Sequence, residues 1–309
     1  MKKDLLCLLD LEPQDFTTLF ERALSLKERH KKGIFDALLA GKTLGLIFDK
    51  KSTRTRIAFE TAMIQLGGHS IYMSTQDTQI SRNEPAKDTA RVLSRYIDCL
   101  AMRTFDHALV EEFAQTSTIP VINALTDSFH PCQILSDILT VIEHKGGYEN
   151  IRIAWVGDGN NVANSWVNAA SVLDLNLIMA CPDGHHIKPA IIAASGADTK
   201  KNIVFTNDPK EAVKGADVVY TDVWASMGEE DQLEGRLKTF QGFQVNEELL
   251  KGAKDNCIVL HCLPAHRGEE ISESVLEAPN AVFWDQAENK RHMHKAILER
   301  LILGRKNNE

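Results

Sequence analysis

The segment from Lys51 to Arg56 carries the residue types that bind a phosphate group. Its sequence, Lys-Ser-Thr-Arg-Thr-Arg, combines three hydroxyl side chains with two guanidinium groups. A short apolar run at 43–48 precedes it, and apolar residues recur at helical spacing from Phe59 to Leu66. A strand that leads into a helix points free N–H groups and the positive end of the helix dipole at an anion. The alternative is an ordinary helix with a solvated basic first turn, although cations are poorly placed there.

Other groups that could do chemistry follow the later apolar runs, where ligands of open α/β sheets bind. Arg103 comes directly after one run, and His130 follows another, with Gln133 three residues later. In the second half, Asp222 and the segment 261–264 (His-Cys-Leu-Pro) occupy equivalent positions. The plainer alternatives are a salt bridge for the arginine and a buried place for the cysteine. Because these groups collect at the same end of both sheets, the sequence predicts a site to which both halves contribute.

Two other kinds of site are disfavoured by spacing. The turn at 157–159 (Gly-Asp-Gly) is similar to the start of a dinucleotide-binding loop, but Val162 stands where the third glycine should be. The pair His261-Cys262 and the nearby His266 suggest a metal, but no second ligand cluster accompanies them. The polar run at 160–164 instead favours hydrogen bonds to an amino acid.

Composition excludes several classes of function. A hydrophobic fraction of 43% and a charged fraction of 25% indicate a globular protein, and the 309 residues suffice for about two domains. The net charge of −8 disfavours a nucleic-acid partner. No run of about 18 apolar residues predicts a membrane span, and the run at 5–9 is too short for a secretory leader. The six cysteines form no Cys-x-x-Cys pair, so we expect a reducing, cytoplasmic location.

The elements that must position these residues alternate between strand and helix. Strands are predicted near 43–48, 69–73, 97–102, 119–123, 151–156, 175–180, 203–206, 217–221, 257–261 and 281–284. Helices are predicted near 13–30, 53–66, 86–96, 106–116, 132–145, 162–173 and 288–303. This alternation predicts an α/β fold with parallel sheets flanked by helices. Gly146-Gly147 interrupts the pattern, so we expect two domains joined by the helix that follows Pro131.

Four motifs occur in the order and spacing of one enzyme family. They are 52–56 (Ser-Thr-Arg-Thr-Arg), 130–133 (His-Pro-Cys-Gln), Asp222 with 226–228 (Ser-Met-Gly), and 261–264. With them the chain resembles the aspartate/ornithine carbamoyltransferase family over essentially its whole length, and the last two motifs are typical of ornithine-specific members. The resemblance implies an active site in the interdomain cleft. Residues 1–145 would bind carbamoyl phosphate, 146–285 would bind ornithine, and 286–309 would form a helix that packs back on the first domain.

The resemblance also implies a role for each site residue. Carbamoyl phosphate would be bound by Ser52, Thr53, Arg54, Thr55, Gln79, Arg103, His130, Pro131, Cys132, Gln133, Cys262, Leu263 and Lys290. Within that set, Thr55, Arg103 and His130 would hold the carbonyl oxygen, and Gln133 would hold the carbamoyl nitrogen. Ornithine would be bound by Asn161, Asp222, Ser226 and Met227. The catalytic residues would be Arg103, His130, Asp222 and Cys262, and Gln79 would reach a neighbouring active site of a homotrimer.

One position departs from the family pattern. Where the family reads Glu-Asn-Arg, the chain reads Glu-Asn-Lys-Arg at 288–291, so Lys290 aligns with the family's arginine. A lysine supplies a point charge in place of a forked pair of donors. Arg291 is no simple substitute, because adjacent side chains point about 100° apart around a helix.

The activity implied by the resemblance is carbamoyl transfer from carbamoyl phosphate to ornithine, which yields citrulline and phosphate. No metal or cofactor is expected, because phosphate is already a good leaving group. Three alternatives stay open: a carbamoyltransferase for putrescine or another amine, a non-catalytic anion-binding relative, and, disfavoured by its glycine pattern, a nicotinamide-dependent enzyme. The direction of the reaction in the cell is left open by the residues.

Overall fold

Two parallel β-sheets organise the part of the chain that the computed structural model describes, which is residues 3–74, 84–225 and 233–304. The chain divides into two compact units. The first unit comprises Met1–Leu139 together with Glu288–Glu309, and the second unit comprises Thr140–Ala287. Two helices, one near each boundary, continue from one unit into the other.

The first unit contains a four-stranded sheet whose strand order is β2-β1-β3-β4. The strands are β1 (Thr43–Phe48), β2 (His69–Ser74), β3 (Cys99–Arg103) and β4 (Val121–Leu125). The helices are α1 (Pro13–Lys31), α2 (Arg54–Gln65), α3 (Ala86–Leu93), α4 (His107–Thr116) and α5 (Pro131–Lys145). Because β1 connects to β2 on one side and β3 lies on the other, the topological switch point lies between β1 and β3. Ligands of open α/β sheets bind at such points.

The central strands of this sheet are apolar along nearly their whole length. Leu44, Leu46, Leu100, Ala101 and Met102 are fully buried, as expected for parallel strands covered on both faces. The last residues of β1 and β3, Phe48 and Arg103, are register partners. Arg103 therefore emerges beside the loop that leads from β1 into α2.

The second unit contains a five-stranded sheet whose strand order is β7-β6-β5-β8-β9. The strands are β5 (Arg152–Val156), β6 (Asn176–Ala180), β7 (Ile203–Thr206), β8 (Val218–Thr221) and β9 (Ile258–His261). The helices are α6 (Asn161–Leu173), α7 (Pro189–Ser195), α8 (Pro209–Val213), α9 (Leu233–Thr239), α10 (Glu247–Leu250), α11 (Glu273–Leu276) and α12 (Phe283–Leu303). The switch point lies between β5 and β8, and Thr221 at the end of β8 is the register partner of His261 at the end of β9.

The predicted two-domain α/β fold with parallel sheets is confirmed. The predicted strand at 281–284 is wrong: Ala281 forms a single bridge to Val259, and α12 begins at Phe283. Phe283 is fully buried in the core of the second unit, and a short apolar run does not distinguish a buried strand from the start of a helix. In the described ranges, no helix has both the length and the apolar character that a membrane crossing requires.

Candidate active site

Three loops of the first unit are joined by backbone hydrogen bonds at the carboxyl ends of β1, β3 and β4. The N–H groups of Asp49, Thr104 and Asp127 donate to the carbonyl oxygens of Arg103, Leu125 and Phe105 over 2.8, 3.1 and 3.0 Å. Lys50, which is buried, adds an ion pair to Asp127, and its ammonium lies 4.2 Å from the centre of the Phe105 ring. These contacts fix the backbone from which the predicted phosphate-binding residues project.

The start of α2 leaves one of its two arginines available. Thr53 is the N-cap residue, yet its side chain makes no capping hydrogen bond. Arg56 is engaged, because its Nε donates to Glu60 over 3.0 Å and its guanidinium carbon lies 3.5 Å from the centre of the Tyr72 ring. Arg54 is half-buried and, within the described ranges, forms no hydrogen bond or ion pair. Arg54 therefore fits the predicted phosphate contact, whereas Arg56 has a structural role.

Lys290 lies among the predicted carbamoyl phosphate residues. Its ammonium donates to Gln133 Oε1 over 2.9 Å and to Thr55 Oγ1 over 3.2 Å. Gln133 Nε2 in turn donates to Asp137 Oδ1 over 2.7 Å. All four side chains are buried, with at most 3% exposure. The Lys290 ammonium thus contacts Thr55 and Gln133, two residues that are predicted to bind carbamoyl phosphate, and its role at the family's arginine position stays a prediction.

His130 is a buried histidine at the end of the loop that follows β4. Burial, together with the positive charges of Lys290 and Arg103 and the nearby His294, holds its pKa well below the ordinary value of 6.5. The imidazole is therefore neutral at physiological pH, with one ring nitrogen carrying a proton. A neutral N–H can donate to a carbonyl oxygen, which is the role predicted for His130.

Cys132 does not direct its thiol at a substrate. The thiol donates to the carbonyl oxygen of Asn123 over 3.6 Å, and burial raises its pKa to about 12. A thiol with this pKa is not a nucleophile at neutral pH. Any contact of Cys132 with carbamoyl phosphate would therefore come from its backbone, at the first turn of α5.

Asp222 is the centre of the polar cluster in the second unit. Its Oδ2 accepts from Asn160 Nδ2 over 2.8 Å, and its Oδ1 accepts from the Cys262 thiol and the Val223 N–H, each over 2.9 Å. The residue is only 5% exposed. The adjacent ends of β8 and β9 bring Asp222 and Cys262 together, and the catalytic role of this pair stays a prediction.

Asn160 has a role that the sequence analysis missed. Its Oδ1 accepts from the N–H groups of Val162 and Ala163 over 2.9 and 3.1 Å, so it caps α6, while its Nδ2 reaches Asp222. Asn161, the predicted ornithine ligand, is the half-buried first residue of that helix. An Asn before an apolar helical run is a recognisable N-cap signal, but the contact with Asp222 has no local signature.

Three predicted site residues, Gln79, Ser226 and Met227, lie outside the described residues. Among the described residues of this part of the chain, Arg236 in α9 makes two buried contacts. Arg236 donates to the carbonyl oxygen of Trp224 over 2.7 Å and to Asp158 Oδ2 over 2.9 Å. Arg236 thus links α9 and Trp224 to the loop that follows β5.

The histidine next to Cys262 is committed to protein contacts. In the described part of the chain, ligand atoms of Asp222, His261 and Cys262 lie within 4.8 Å of one another, which is compatible with a metal cluster. However, His261 Nδ1 accepts from the Leu263 N–H over 2.9 Å, and Nε2 lies 3.0 Å from Glu270 Oε1. Both ring nitrogens are therefore used, and a metal would have to displace one of these bonds.

His294 provides a prediction for acid stability. It is fully buried, stacks on Phe59 at 3.7 Å, and its pKa is lowered well below 6.5 by burial and by Lys290. Because the folded pKa is depressed, the stabilisation is complete above pH ~6.5 and is lost as the pH falls below that value. Between pH 6.5 and 5.0, the wild type should lose about 2 kcal/mol more unfolding free energy than His294→Leu.

Urea unfolding across pH 5.0–8.0 measures this difference. Above pH 6.5 the gap between wild type and variant should be constant, which provides an internal control. Equal slopes for the two proteins below pH 6.5 would contradict the assignment of a depressed pKa to His294.

Comparison with known protein families matches the chain in two regions. Residues 3–143 match the model described as aspartate/ornithine carbamoyltransferase, carbamoyl-P binding domain. Residues 149–301 match the model described as aspartate/ornithine carbamoyltransferase, Asp/Orn binding domain. Together the two models cover nearly the whole chain.

Individual relatives are similar over nearly their full length. An ornithine carbamoyltransferase of Syntrophus aciditrophicus is 55% identical over 302 residues, covering 98% of this chain and 100% of the relative. One from Desulfotalea psychrophila is 56% identical over 293 residues, covering 95% and 97%. Among solved structures, ornithine carbamoyltransferase from Pyrococcus furiosus superimposes with a TM-score of 0.92 at 48% identity, covering 97% of each chain.

Proposed function

Because the chain belongs to the aspartate/ornithine carbamoyltransferase family, we propose that it transfers the carbamoyl group of carbamoyl phosphate to the δ-amino group of L-ornithine. The products are L-citrulline and phosphate. The observation that carries this proposal is Arg54 at the start of α2, which has no hydrogen bond or ion pair to any described residue and adjoins the buried network of Thr55, Gln133 and Lys290. In the second unit, the carboxylate of Asp222 and the thiol of Cys262 form a pair that can hold the ornithine δ-amino group.

The first unit binds the phosphate that leaves. Arg54 offers a forked pair of donors, the first-turn N–H groups of α2 point outward, and Ser52 and Thr53 add hydroxyl donors. These groups neutralise the charge that grows on phosphate as the carbon–oxygen bond breaks and its electron pair departs. Lys290 adds a cation at the Thr55 end of this cluster, so the loss of a guanidinium there does not remove the positive charge.

The carbonyl oxygen of the carbamoyl group becomes an oxyanion as the carbon turns tetrahedral. Arg103 at the end of β3, neutral His130 and the Thr55 hydroxyl donate to this oxygen, and Gln133 accepts from the carbamoyl nitrogen. Loss of one such donor typically costs about 10²–10³ in rate. His130 is suited to this task because its depressed pKa keeps it from competing as an acid or base.

The second unit binds the amine. An alkylammonium has a pKa near ~10.4 and must lose a proton before its nitrogen attacks the carbonyl carbon. The Asp222 carboxylate holds the δ-amino group. The Cys262 thiol, which donates a hydrogen bond to Asp222, lies next to that group. Asn161, Ser226 and Met227 hold the α-amino and α-carboxylate groups. The first proton passes to solvent as the amine binds, and the second leaves with the departing phosphate as HPO₄²⁻. Because phosphate is already a good leaving group, the proposed reaction needs no metal or cofactor.

Several features of this proposal rest on the family resemblance. They are the domain assignment (1–145 for carbamoyl phosphate, 146–285 for ornithine, 286–309 as a helix of the first domain), the homotrimer and the contact of Gln79 with a neighbouring site. A reducing, cytoplasmic location is supported by the six cysteines, all of which are free thiols.

A steady-state assay with ornithine and putrescine compared side by side tests the proposed function. Putrescine lacks the α-carboxylate for which Asn161, Ser226 and Met227 are proposed, so we expect its kcat/KM to be at least about 10²-fold lower. Citrulline is measured colorimetrically, and carbamoyl putrescine by chromatography. Equal use of the two amines would contradict ornithine specificity, and the absence of both products would contradict the carbamoyltransferase assignment.

A further inference from the structure

A buried histidine–glutamate pair, His261 and Glu270, contacts the Cys262-Leu263 segment. His261, the last residue of β9, is 1% exposed, and Glu270 is fully buried. Glu270 Oε1 lies 3.0 Å from His261 Nε2 and also accepts from the His266 N–H over 2.7 Å. Neither His261 nor Glu270 is among the residues predicted to bind a substrate, but the His261 imidazole contacts the backbone of Leu263, which is.

The hydrogen bonds of His261 determine where its proton lies. The Leu263 N–H can only donate, and it points at His261 Nδ1 over 2.9 Å. Nδ1 must therefore carry a lone pair, which places the ring proton on Nε2. Glu270 Oε1 is the acceptor for that proton. The carboxylate thus selects the one tautomer that can hold the Leu263 backbone.

Leu263 needs such support because its backbone is strained. Its φ is 58°, in the left-handed region that is unfavourable for a residue with a β-carbon. The bond from its N–H to His261 stabilises this conformation, which sets the direction of the Leu263 carbonyl and of the preceding Cys262. The Cys262 thiol then meets Asp222 at 2.9 Å.

The backbone of His261 is also held by hydrogen bonds. Its backbone N–H donates to Gln286 Oε1 over 3.0 Å, and Gln286 Nε2 donates to the Tyr220 hydroxyl over 3.2 Å. Tyr220 and His261 belong to the neighbouring strands β8 and β9, and all three side chains are buried. The imidazole therefore has a rigid frame, and Glu270 is the group that sets its tautomer.

We propose that Glu270 is a positioning residue for carbamoyl transfer: through His261 it holds Leu263 and Cys262 in the geometry that the second half of the site requires. This inference rests on the proposed function, in which Cys262 lies next to the reacting amine and Leu263 belongs to the residues that bind carbamoyl phosphate. Glu270 touches neither substrate. Its effect passes through one imidazole and one backbone N–H.

Two substitutions at position 270 distinguish a role of Glu270 in orienting His261 from a role in filling space in the core. Glu270→Gln keeps an oxygen that accepts the His261 Nε2 proton, whereas Glu270→Leu removes it. We expect kcat to stay within about fivefold of wild type in the Gln variant and to fall about 10²-fold in the Leu variant, a loss typical of a misplaced reacting group. Carbamoyl phosphate affinity, measured by calorimetry, should change far less than kcat in both, because most of the residues predicted to bind that substrate belong to the first unit and only Cys262 and Leu263 belong to the second.

The matched control is Glu269→Leu. Glu269 is adjacent in sequence, and its carboxylate contacts the ring of His266, with 3.2 Å between Oε2 and Nδ1, and not that of His261. This variant should keep wild-type kcat. If the substitutions at position 270 only destabilised the fold, the melting temperature would fall, but kcat would not differ between the Gln and Leu variants as predicted.

The tautomer is measured directly by ¹⁵N NMR of the imidazoles in the intact enzyme, with His261→Gln used for assignment. The expected result is a neutral His261 protonated at Nε2 in wild type and in Glu270→Gln. A proton on Nδ1 in wild type would overturn the proposal even if Glu270→Leu failed to fold. Wild-type kcat in a folded Glu270→Leu variant, or equal losses in the Gln and Leu variants, would overturn it as well. The NMR result does not depend on citrulline formation, so failure of the proposed function remains a separate outcome.

Discussion

Arg54→Ala is expected to lower kcat/KM for carbamoyl phosphate by about 10³-fold, at the upper end of the loss seen when one preorganised donor is removed. Arg54 projects from the uncapped first turn of α2 and, among the described residues, has no other partner to satisfy. Its removal should therefore leave the melting temperature unchanged. Isothermal calorimetry with carbamoyl phosphate gives the affinity, and thermal unfolding gives the stability.

Arg56→Ala is the matched control for this experiment, because it removes the same side chain two residues later. The Arg56 guanidinium already contacts Glu60 and the face of Tyr72. Its loss should cost about 1 kcal/mol of stability and leave kcat/KM within a fewfold of wild type. Unchanged carbamoyl phosphate affinity in Arg54→Ala, or an equal loss in Arg56→Ala, would refute the phosphate site.

Asp222→Asn is expected to reduce kcat with ornithine by about 10³-fold while carbamoyl phosphate still binds normally. The carboxylate accepts from Asn160, Cys262 and Val223. An amide in its place presents an NH₂ group to one of these donors and no longer carries the charge that attracts the δ-ammonium group. Steady-state kinetics with both substrates varied separates this loss from a change in carbamoyl phosphate binding.

Asp217→Asn provides the control, since Asp217 lies just before the other end of the same strand. Its carboxylate pairs with Lys254 over 2.8 Å and accepts from the Arg152 N–H over 2.9 Å. This variant should lose about 1–3 kcal/mol of stability and keep its kcat. If Asp222→Asn kept kcat within tenfold of wild type, or if both variants lost kcat equally, Asp222 would have no special role with ornithine.

Local sequence patterns predicted most of the fold, because parallel strands and their crossover helices leave strong local signals. Apolar runs followed by helical periodicity identified β1 with α2 and β5 with α6. The pattern failed at 281–284, where a run of four apolar residues opens a helix whose first residue is buried. Nothing in four residues distinguishes these outcomes, since tertiary burial decides between them.

The site was predicted less completely, because its supporting contacts join residues far apart in sequence. Asp222 is 62 positions from Asn160, and Arg236 is 78 positions from Asp158. Residue type alone also could not separate Arg54 from Arg56, because the aromatic ring that engages Arg56 lies on a different element, β2. The titratable groups were visible in the sequence, whereas the partners that orient them required the structure.

The double role of Asn160 restricts which mutations the chain tolerates. Asp and Asn cap helices equally well, so Asn160→Asp should have little effect on the stability of α6. At this position the exchange would replace the Nδ2 donor with a second carboxylate, about one hydrogen-bond length from Asp222. The stability of α6 alone would allow either Asn or Asp at position 160. We therefore expect natural variation at this position to be limited by the reaction with ornithine, which requires the amide donor to Asp222.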